Sequence, residues 1–103
     1  MFDFLFKMLG SPNQPVVVKA GAVIIDVREP AEYASGHVAG AINIPLSVLP
    51  EHVADLKRLS KPLVVYCRSG ARSGMARKML VDAGVEDVIN GKNASTVSRI
   101  LGA

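Results

Sequence analysis

Residues 64–74 read VVYCRSGARSG and contain the only cysteine of the chain, Cys67. An apolar run leads into it, and Arg68, Ser69, Gly70, Ala71, Arg72 and Ser73 follow. A thiolate is a strong nucleophile, but a free cysteine at neutral pH is mostly thiol. Three features of this stretch favour the ionised form. The residues after Cys67 take up helical spacing, so the positive end of a helix dipole and its unpaired N–H groups lie next to the sulfur. Gly70 among small neighbours lets the loop curl until several N–H groups point inward, as an anion nest requires. Arg68 and Arg72 add positive charge. Arg72 is unusual, because a cation near a helix N-terminus opposes the dipole. It is either a solvated surface arginine or part of a site. Cys67 alone would read as a small buried hydrophobe; with a Gly/Arg loop at a strand-to-helix junction it reads as reactive.

The elements around it must present that junction. Residues 16–18 (VVV) are a candidate first strand, and residues 22–27 (AVIIDV) form a β-branched run typical of a strand buried on both faces. A short helix is expected over 30–36, with Pro30 at its start and Gly36 at its end. Residues 41–45 make another short strand. Residues 50–59 follow as a helix that opens at Pro50 and Glu51 and has Val53, Leu56 and Leu59 on one side. Residues 62–67 are the strand that ends at Cys67. Beyond it, Ala71, Met75, Met79, Leu80 and Ala83 recur at helical spacing until Gly84, and the Met75/Met79 stripe is expected in the core. Residues 85–90 are a further strand. Asn93 is a plausible N-cap for a last helix with Ala94, Val97, Ile100 and Leu101 on one face. Strands alternating with helices imply βαβ units and a mostly parallel sheet covered on both faces. In such folds ligands bind beyond the carboxyl ends of the strands, where Cys67 sits.

Composition narrows the functions. The 103 residues fit one domain, half of them hydrophobic and 20% charged. The formal net charge of +3 favours small anions as partners. No basic run is interleaved with aromatics, so a nucleic-acid partner is not expected. One cysteine excludes an internal disulfide, a CxxC redox pair and a thiolate metal cluster, and a free thiol suits a reducing, cytoplasmic setting. His37 and His52 show no ligand spacing, so no metal is expected. The apolar start, residues 1–10, is too short to span a bilayer and lacks the leading basic region and cleavage pattern of a signal peptide. We divide the chain into an N-terminal apolar segment and linker (1–14) and one domain (15–103).

Two motifs together resemble the rhodanese superfamily of sulfurtransferases. CRSGAR is similar to its active-site loop of cysteine, four residues and arginine. Residues 26–45, DVREPAEYASGHVAGAINIP, are similar to its upstream segment, in which Asp-Val-Arg closes a strand and Gly-His leads to a Gly-Ala-x-Asn-x-Pro strand. The resemblance covers about Val23 to Gly84. It implies a three-layer α/β/α sandwich with a five-stranded, mostly parallel sheet. It also implies that Cys67 takes the sulfane sulfur of thiosulfate or a related donor as a persulfide. A thiol, cyanide or a protein acceptor then removes that sulfur, with no metal or organic cofactor. Loop N–H groups from Arg68 through Ser73 would stabilise the persulfide, and Arg68 and Arg72 would hold the donor. The alternatives are a non-catalytic persulfide carrier or sensor, and, more weakly, a phosphatase or arsenate reductase. The related dual-specificity phosphatases carry five residues between cysteine and arginine, one more than the four between Cys67 and Arg72.

Asp26, Arg28 and Lys92 are the candidate supporting residues. Asp26 either orients the loop or caps neighbouring N–H groups. Arg28 and Glu32 are expected to pair with each other. Many members of the superfamily have paired glycines and then a tryptophan where this chain reads NGKNASTV, so Lys92 replaces the second glycine. Lys92 either brings positive charge to the sulfur site or points to water. We expect His37 to pack and hydrogen-bond, and Arg77 and Lys78 to lie on a solvated helix face.

Overall fold

The computed structural model describes residues 16–102; the expected N-terminal segment and linker lie outside them. Four strands form one sheet: β1 (Val23–Asp26), β2 (Ile42–Asn43), β3 (Leu63–Cys67) and β4 (Val88–Asn93), in the order β2-β1-β3-β4 and all parallel. The helices are α1 (Pro30–Ala34), α2 (Val53–Leu59), α3 (Ala71–Asp82) and α4 (Ala94–Leu101), and a 3-10 segment (Leu46–His52) precedes α2.

The β-branched runs form the central strands because both sheet faces are covered. Ile25, Val65 and Cys67 point to one face, where they meet Leu49 of the 3-10 segment, Leu56 of α2, and Ala76 and Leu80 of α3. Ile24, Val64 and Tyr66, the alternate residues, point to the other face and meet Val38 and Val97. The result is the expected three-layer α/β/α arrangement around a parallel sheet. Burying each such aliphatic side chain contributes about 1.5–3 kcal/mol.

The strand count is a correction: among the described residues the sheet has four strands, not five. Residues 16–18 pair with no strand among the described residues. Val18 packs against the second core cluster and Val17 is exposed, so the run covers the sheet without joining its ladder.

Proline moves the start of the next helix. The expected helix from Pro50 is 3-10 up to His52 and becomes α-helical only at Val53. Pro50 has no N–H, and its ring clashes with the carbonyl four residues earlier, so an α ladder cannot pass through it. Leu56 is buried there, but Leu59 is exposed.

Met75 is a second correction. It is 63% exposed, and the buried residues of α3 are Ser73, Ala76 and Leu80. At about 100° per residue, Met75 lies some 200° around the helix from Ser73 and so faces solvent. The small residues at 73 and 76 let α3 approach the sheet closely. Met79 does pack against the core.

β4 starts later than expected and runs to Asn93 through a bulge. Val65 pairs with Asn90 and Tyr66 with Lys92, so Gly91 is the extra residue. A Cβ at Gly91 would lie 2.6 Å from Val97 Cγ2 and 2.9 Å from Val64 Cγ1. Only glycine fits between β3 and α4 there. Asn93 caps α4 as expected, with its Oδ1 accepting from the Thr96 N–H at 2.8 Å. On α4, Val97 is buried, while Ile100 and Leu101 are exposed.

Candidate active site

Cys67 is the last residue of β3, 2% exposed, and α3 begins four residues later. The loop between them closes on the sulfur because Gly70 adopts φ +104°, a left-handed conformation that glycine takes without steric cost. The Gly70 N–H thereby donates to Cys67 Sγ at 3.1 Å. The Ser73 N–H, in the first turn of α3, reaches the same sulfur at 3.4 Å, and the Ser73 Oγ lies 3.3 Å from it. Burial alone would push the Cys67 thiol up. The Ser73 hydroxyl and the N–H groups of Ser73, Gly70 and Ser69 outweigh it, so the pKa falls below the ordinary thiol value.

Asn90 of β4 completes this cradle. Its Nδ2 donates to the Gly70 carbonyl at 3.0 Å, and its Oδ1 lies 2.7 Å from the Ser73 Oγ and accepts from the Lys92 N–H at 2.9 Å. The sequence reading missed Asn90, because nothing in the strand's local pattern marks it.

An open cleft of about 400 Å³ lies beside the sulfur, lined by Arg28, Cys67, Arg68 and the start of α4 from Asn93 to Thr96. Arg28 is thus at the site, but it does not pair with Glu32 as expected. It folds back onto Asp26: Nη2 contacts Asp26 Oδ2 at 2.6 Å, and Nε is 3.0 Å from both carboxylate oxygens. Asp26 is fully buried and therefore needs a cation. It also accepts from the Arg28 N–H at 2.9 Å and the Tyr66 hydroxyl at 2.9 Å. Burial would raise the Asp26 carboxyl; the bonds from Arg28 and Tyr66 outweigh it and hold the pKa below its usual value. Burial, with Asp26 alongside, pushes the Tyr66 phenol up to about 12, so it stays a donor. Asp26 therefore anchors Arg28 and joins β1 to β3, one strand away from the cysteine.

Arg72 also has an unexpected partner. Its guanidinium makes a bidentate pair with Glu32 of α1, at 2.7 and 3.0 Å. Those bonds, with a further one from the Glu29 N–H, hold the Glu32 carboxyl down at about 2. The pair braces α1 against the first turn of α3. It also accounts for a cation at a helix N-terminus, since a carboxylate answers it. Lys92 has φ +74°, and its stem packs 3.6 Å from where a Gly70 Cβ would lie. His37 takes the structural role expected of it: Nδ1 lies 2.8 Å from the Tyr33 carbonyl oxygen and the ring stacks on Tyr33 at 3.7 Å. Arg77 is more than a solvated residue, because its Nε donates to the Val88 carbonyl at 2.9 Å. Lys78 pairs with Asp82 on the surface. Among the described residues, no group of three or more His, Cys, Asp or Glu side chains could hold a metal ion, and no helix is long and apolar enough to cross a membrane.

A sequence profile of the rhodanese-like domain matches residues 7–94, which include Cys67, its donors and Asn90. The chain belongs to the rhodanese-like family. It is 44% identical over 69 residues to the uncharacterized protein YqhL of Bacillus subtilis, covering 67% of this chain and 54% of that one. It is 35% identical over 83 residues to the thiosulfate sulfurtransferase GlpE of Stutzerimonas stutzeri, covering 81% and 75%. This chain therefore spans about half the length of the first relative and three quarters of the second. Among solved structures, an Escherichia coli rhodanese with bound anions superposes with a TM-score of 0.68 at 36% identity, covering 74% of this chain and 91% of that one. Within this family fold, the cradle around Cys67 can do two things. It can stabilise negative charge on sulfur, and it can admit an anion beside Arg28 and Arg68.

Proposed function

We propose that the protein is a sulfurtransferase that moves sulfane sulfur from thiosulfate, or a related donor, to a thiophilic acceptor through a Cys67 persulfide. The observation that carries this reading is the ring of donors 3.1–3.4 Å from Cys67 Sγ, supplied by Gly70 and Ser73. Such donors favour the thiolate before reaction, and the same nest stabilises the anionic outer sulfur afterwards. The Stutzerimonas relative's name, thiosulfate sulfurtransferase, supports the donor.

The reaction is covalent and two-stage. The Cys67 thiolate attacks the outer sulfur of thiosulfate; the S–S bond of the donor breaks and its electron pair leaves with sulfite. Cys67 then carries a persulfide, with negative charge on the outer sulfur. An acceptor nucleophile, a thiolate or cyanide, attacks that outer sulfur, and the pair of the breaking bond returns to Sγ. No proton transfer is needed in either stage, which fits a site in which His37 is engaged with Tyr33. Arg28, held by Asp26, and exposed Arg68 line the cleft where the sulfonate end of the donor would sit. Arg72 acts as a brace through Glu32.

Cys67→Ser tests this reading. Thiosulfate treatment should add the mass of one sulfur to Cys67 reversibly, and sulfite release should vanish in the variant. Turnover that survives in Cys67→Ser refutes the mechanism. Stoichiometric persulfidation without multiple turnover would assign the protein as a sulfur carrier instead.

A further inference from the structure

Two of the contacts around the sulfur compete. The Ser73 Oγ lies 3.3 Å from Cys67 Sγ and 2.7 Å from Asn90 Oδ1. A serine hydroxyl has one hydrogen to donate, so it cannot serve both acceptors at once. The orientation of the Asn90 amide is not free. Its Oδ1 must face the Lys92 N–H, at 2.9 Å, and its Nδ2 must face the Gly70 carbonyl, at 3.0 Å. A second acceptor besides the sulfur is therefore held at the Ser73 hydroxyl.

We propose that Asn90 is a positioning residue that competes with Cys67 for the Ser73 hydroxyl hydrogen, so that Ser73 donates to the sulfur only when that sulfur carries negative charge. This rests on the reading of Cys67 as the nucleophile. With a neutral thiol, the S–H donates to the Ser73 Oγ and Ser73 donates to Asn90. When Cys67 ionises, Sγ becomes an acceptor only; the hydroxyl hydrogen turns to it, and Asn90 Oδ1 keeps the Lys92 N–H. In the persulfide, Sγ is a neutral bridging sulfur and the hydrogen turns back to Asn90. When the acceptor removes the outer sulfur, charge returns to Sγ and the hydroxyl follows it. No bond to the Ser73 hydrogen breaks at any stage. The effect is a donor that does not hold the resting thiol in the charged form at full strength, yet assists the step in which Cys67 departs as a thiolate.

None of the charged side chains around Cys67 is substituted in the test. Arg28 comes from the segment after β1, and Arg68 from the loop. Arg72 of α3 is braced by Glu32 of α1. Lys92 of β4 lies against Gly70. α4 contributes only uncharged residues to the cleft, Ala94, Ser95 and Thr96.

The readout is the pH dependence of Cys67 alkylation by iodoacetamide, whose midpoint reports the thiolate. Ser73→Ala removes the donor and should raise the midpoint by about half to one pH unit, the size expected for one net hydrogen bond. Asn90→Ala frees the hydroxyl for the sulfur and should lower the midpoint. In the Ser73→Ala background, Asn90→Ala should leave the midpoint unchanged. Asn90→Asp keeps the acceptor, loses the Nδ2 bond to the Gly70 carbonyl and adds negative charge; it should raise the midpoint, and the part that acts through the hydroxyl makes the rise smaller when Ser73 is already alanine. A rise in Asn90→Ala, or equal shifts from Asn90 substitutions with and without Ser73, would reduce Asn90 to a strut for Gly70 and overturn the proposal. Should Asn90→Ala not fold, the Asn90→Asp comparison still decides. The assay needs no sulfur donor. A protein that fails with thiosulfate can pass it, and failure here leaves sulfur transfer by Cys67 intact.

Discussion

Tyr66→Phe isolates the polar network beneath the site. The ring sits in the second core cluster, fully buried, and phenylalanine fills the same space, so the substitution opens almost no cavity. Only the hydroxyl is lost, and it makes two bonds. It accepts from the buried Val38 N–H at 3.0 Å and donates to Asp26 Oδ2 at 2.9 Å. Asp26 keeps the Arg28 N–H, Nε and Nη2 as donors. The Val38 N–H keeps no partner that the structure shows, and leaving a buried donor unsatisfied costs about 1–3 kcal/mol. With the weakened carboxylate, the total is about 2–4 kcal/mol, a fall in Tm of about 10–25 °C for a domain of this size.

Urea and thermal unfolding at neutral pH measure that loss, and repeating them down an acid series gives its sign. The folded Asp26 carboxyl ionises below its ordinary value. Its contribution is therefore complete above the unfolded pKa of about 4 and disappears as pH falls through the lower folded value. Tyr66→Phe removes one of the bonds that keep the carboxyl low. Both proteins should begin to lose stability as pH falls through the unfolded value, but the variant, with its folded carboxyl raised, should stop losing it at a higher pH and lose less in all, so the gap between the two narrows at the acid end. A loss below about 0.5 kcal/mol, within the range of an ordinary surface substitution, together with an unchanged acid limb, would refute the view that the hydroxyl ties β3 to the segment at Val38 and to Asp26.

Two further outcomes follow from the packing. Gly91→Ala places a methyl 2.6 Å from Val97 Cγ2, so α4 must shift or the bulge must open, and urea unfolding should show a loss of about 1–3 kcal/mol. Glu32→Ala and Arg72→Ala break one and the same brace, 40 residues apart in sequence; the double variant should melt no lower than the worse single variant, and additive losses would show that the two side chains act separately.

What the sequence revealed about this protein was what lies close together along the chain. The donors to Cys67 Sγ are drawn from a short run that ends at Ser73, and its one left-handed conformation, φ +104° at Gly70, is met by the residue type itself. The Asn93 cap is equally local, a side chain reaching the Thr96 N–H. The missing fifth strand and the exposure of Met75 mark the first limit. Hydrophobic spacing says that a run has an apolar face, but not whether that face joins a ladder or which edge of the stripe meets the sheet. The pairs Arg72–Glu32, Tyr66–Val38 and Ser73–Asn90 mark the second limit. Each joins separate elements, and no period along one element encodes its neighbour.

The bulge at Gly91 shows how much such neighbour relations decide. A one-residue change of register exchanges which side chains share a position across strands. With the extra residue between Asn90 and Lys92, β4 pairs Cys67 with Asn93. The cap of α4 therefore starts level with the nucleophile, and the first turn of α4 lines the same cleft. Lys92 takes φ +74° where glycine would relax, at a cost of about 1–2 kcal/mol. In the same turn, its N–H fixes the Asn90 amide that faces Ser73. The departure from the family's paired glycines thus falls at the backbone that orients Asn90, one bond removed from the group that donates to the sulfur.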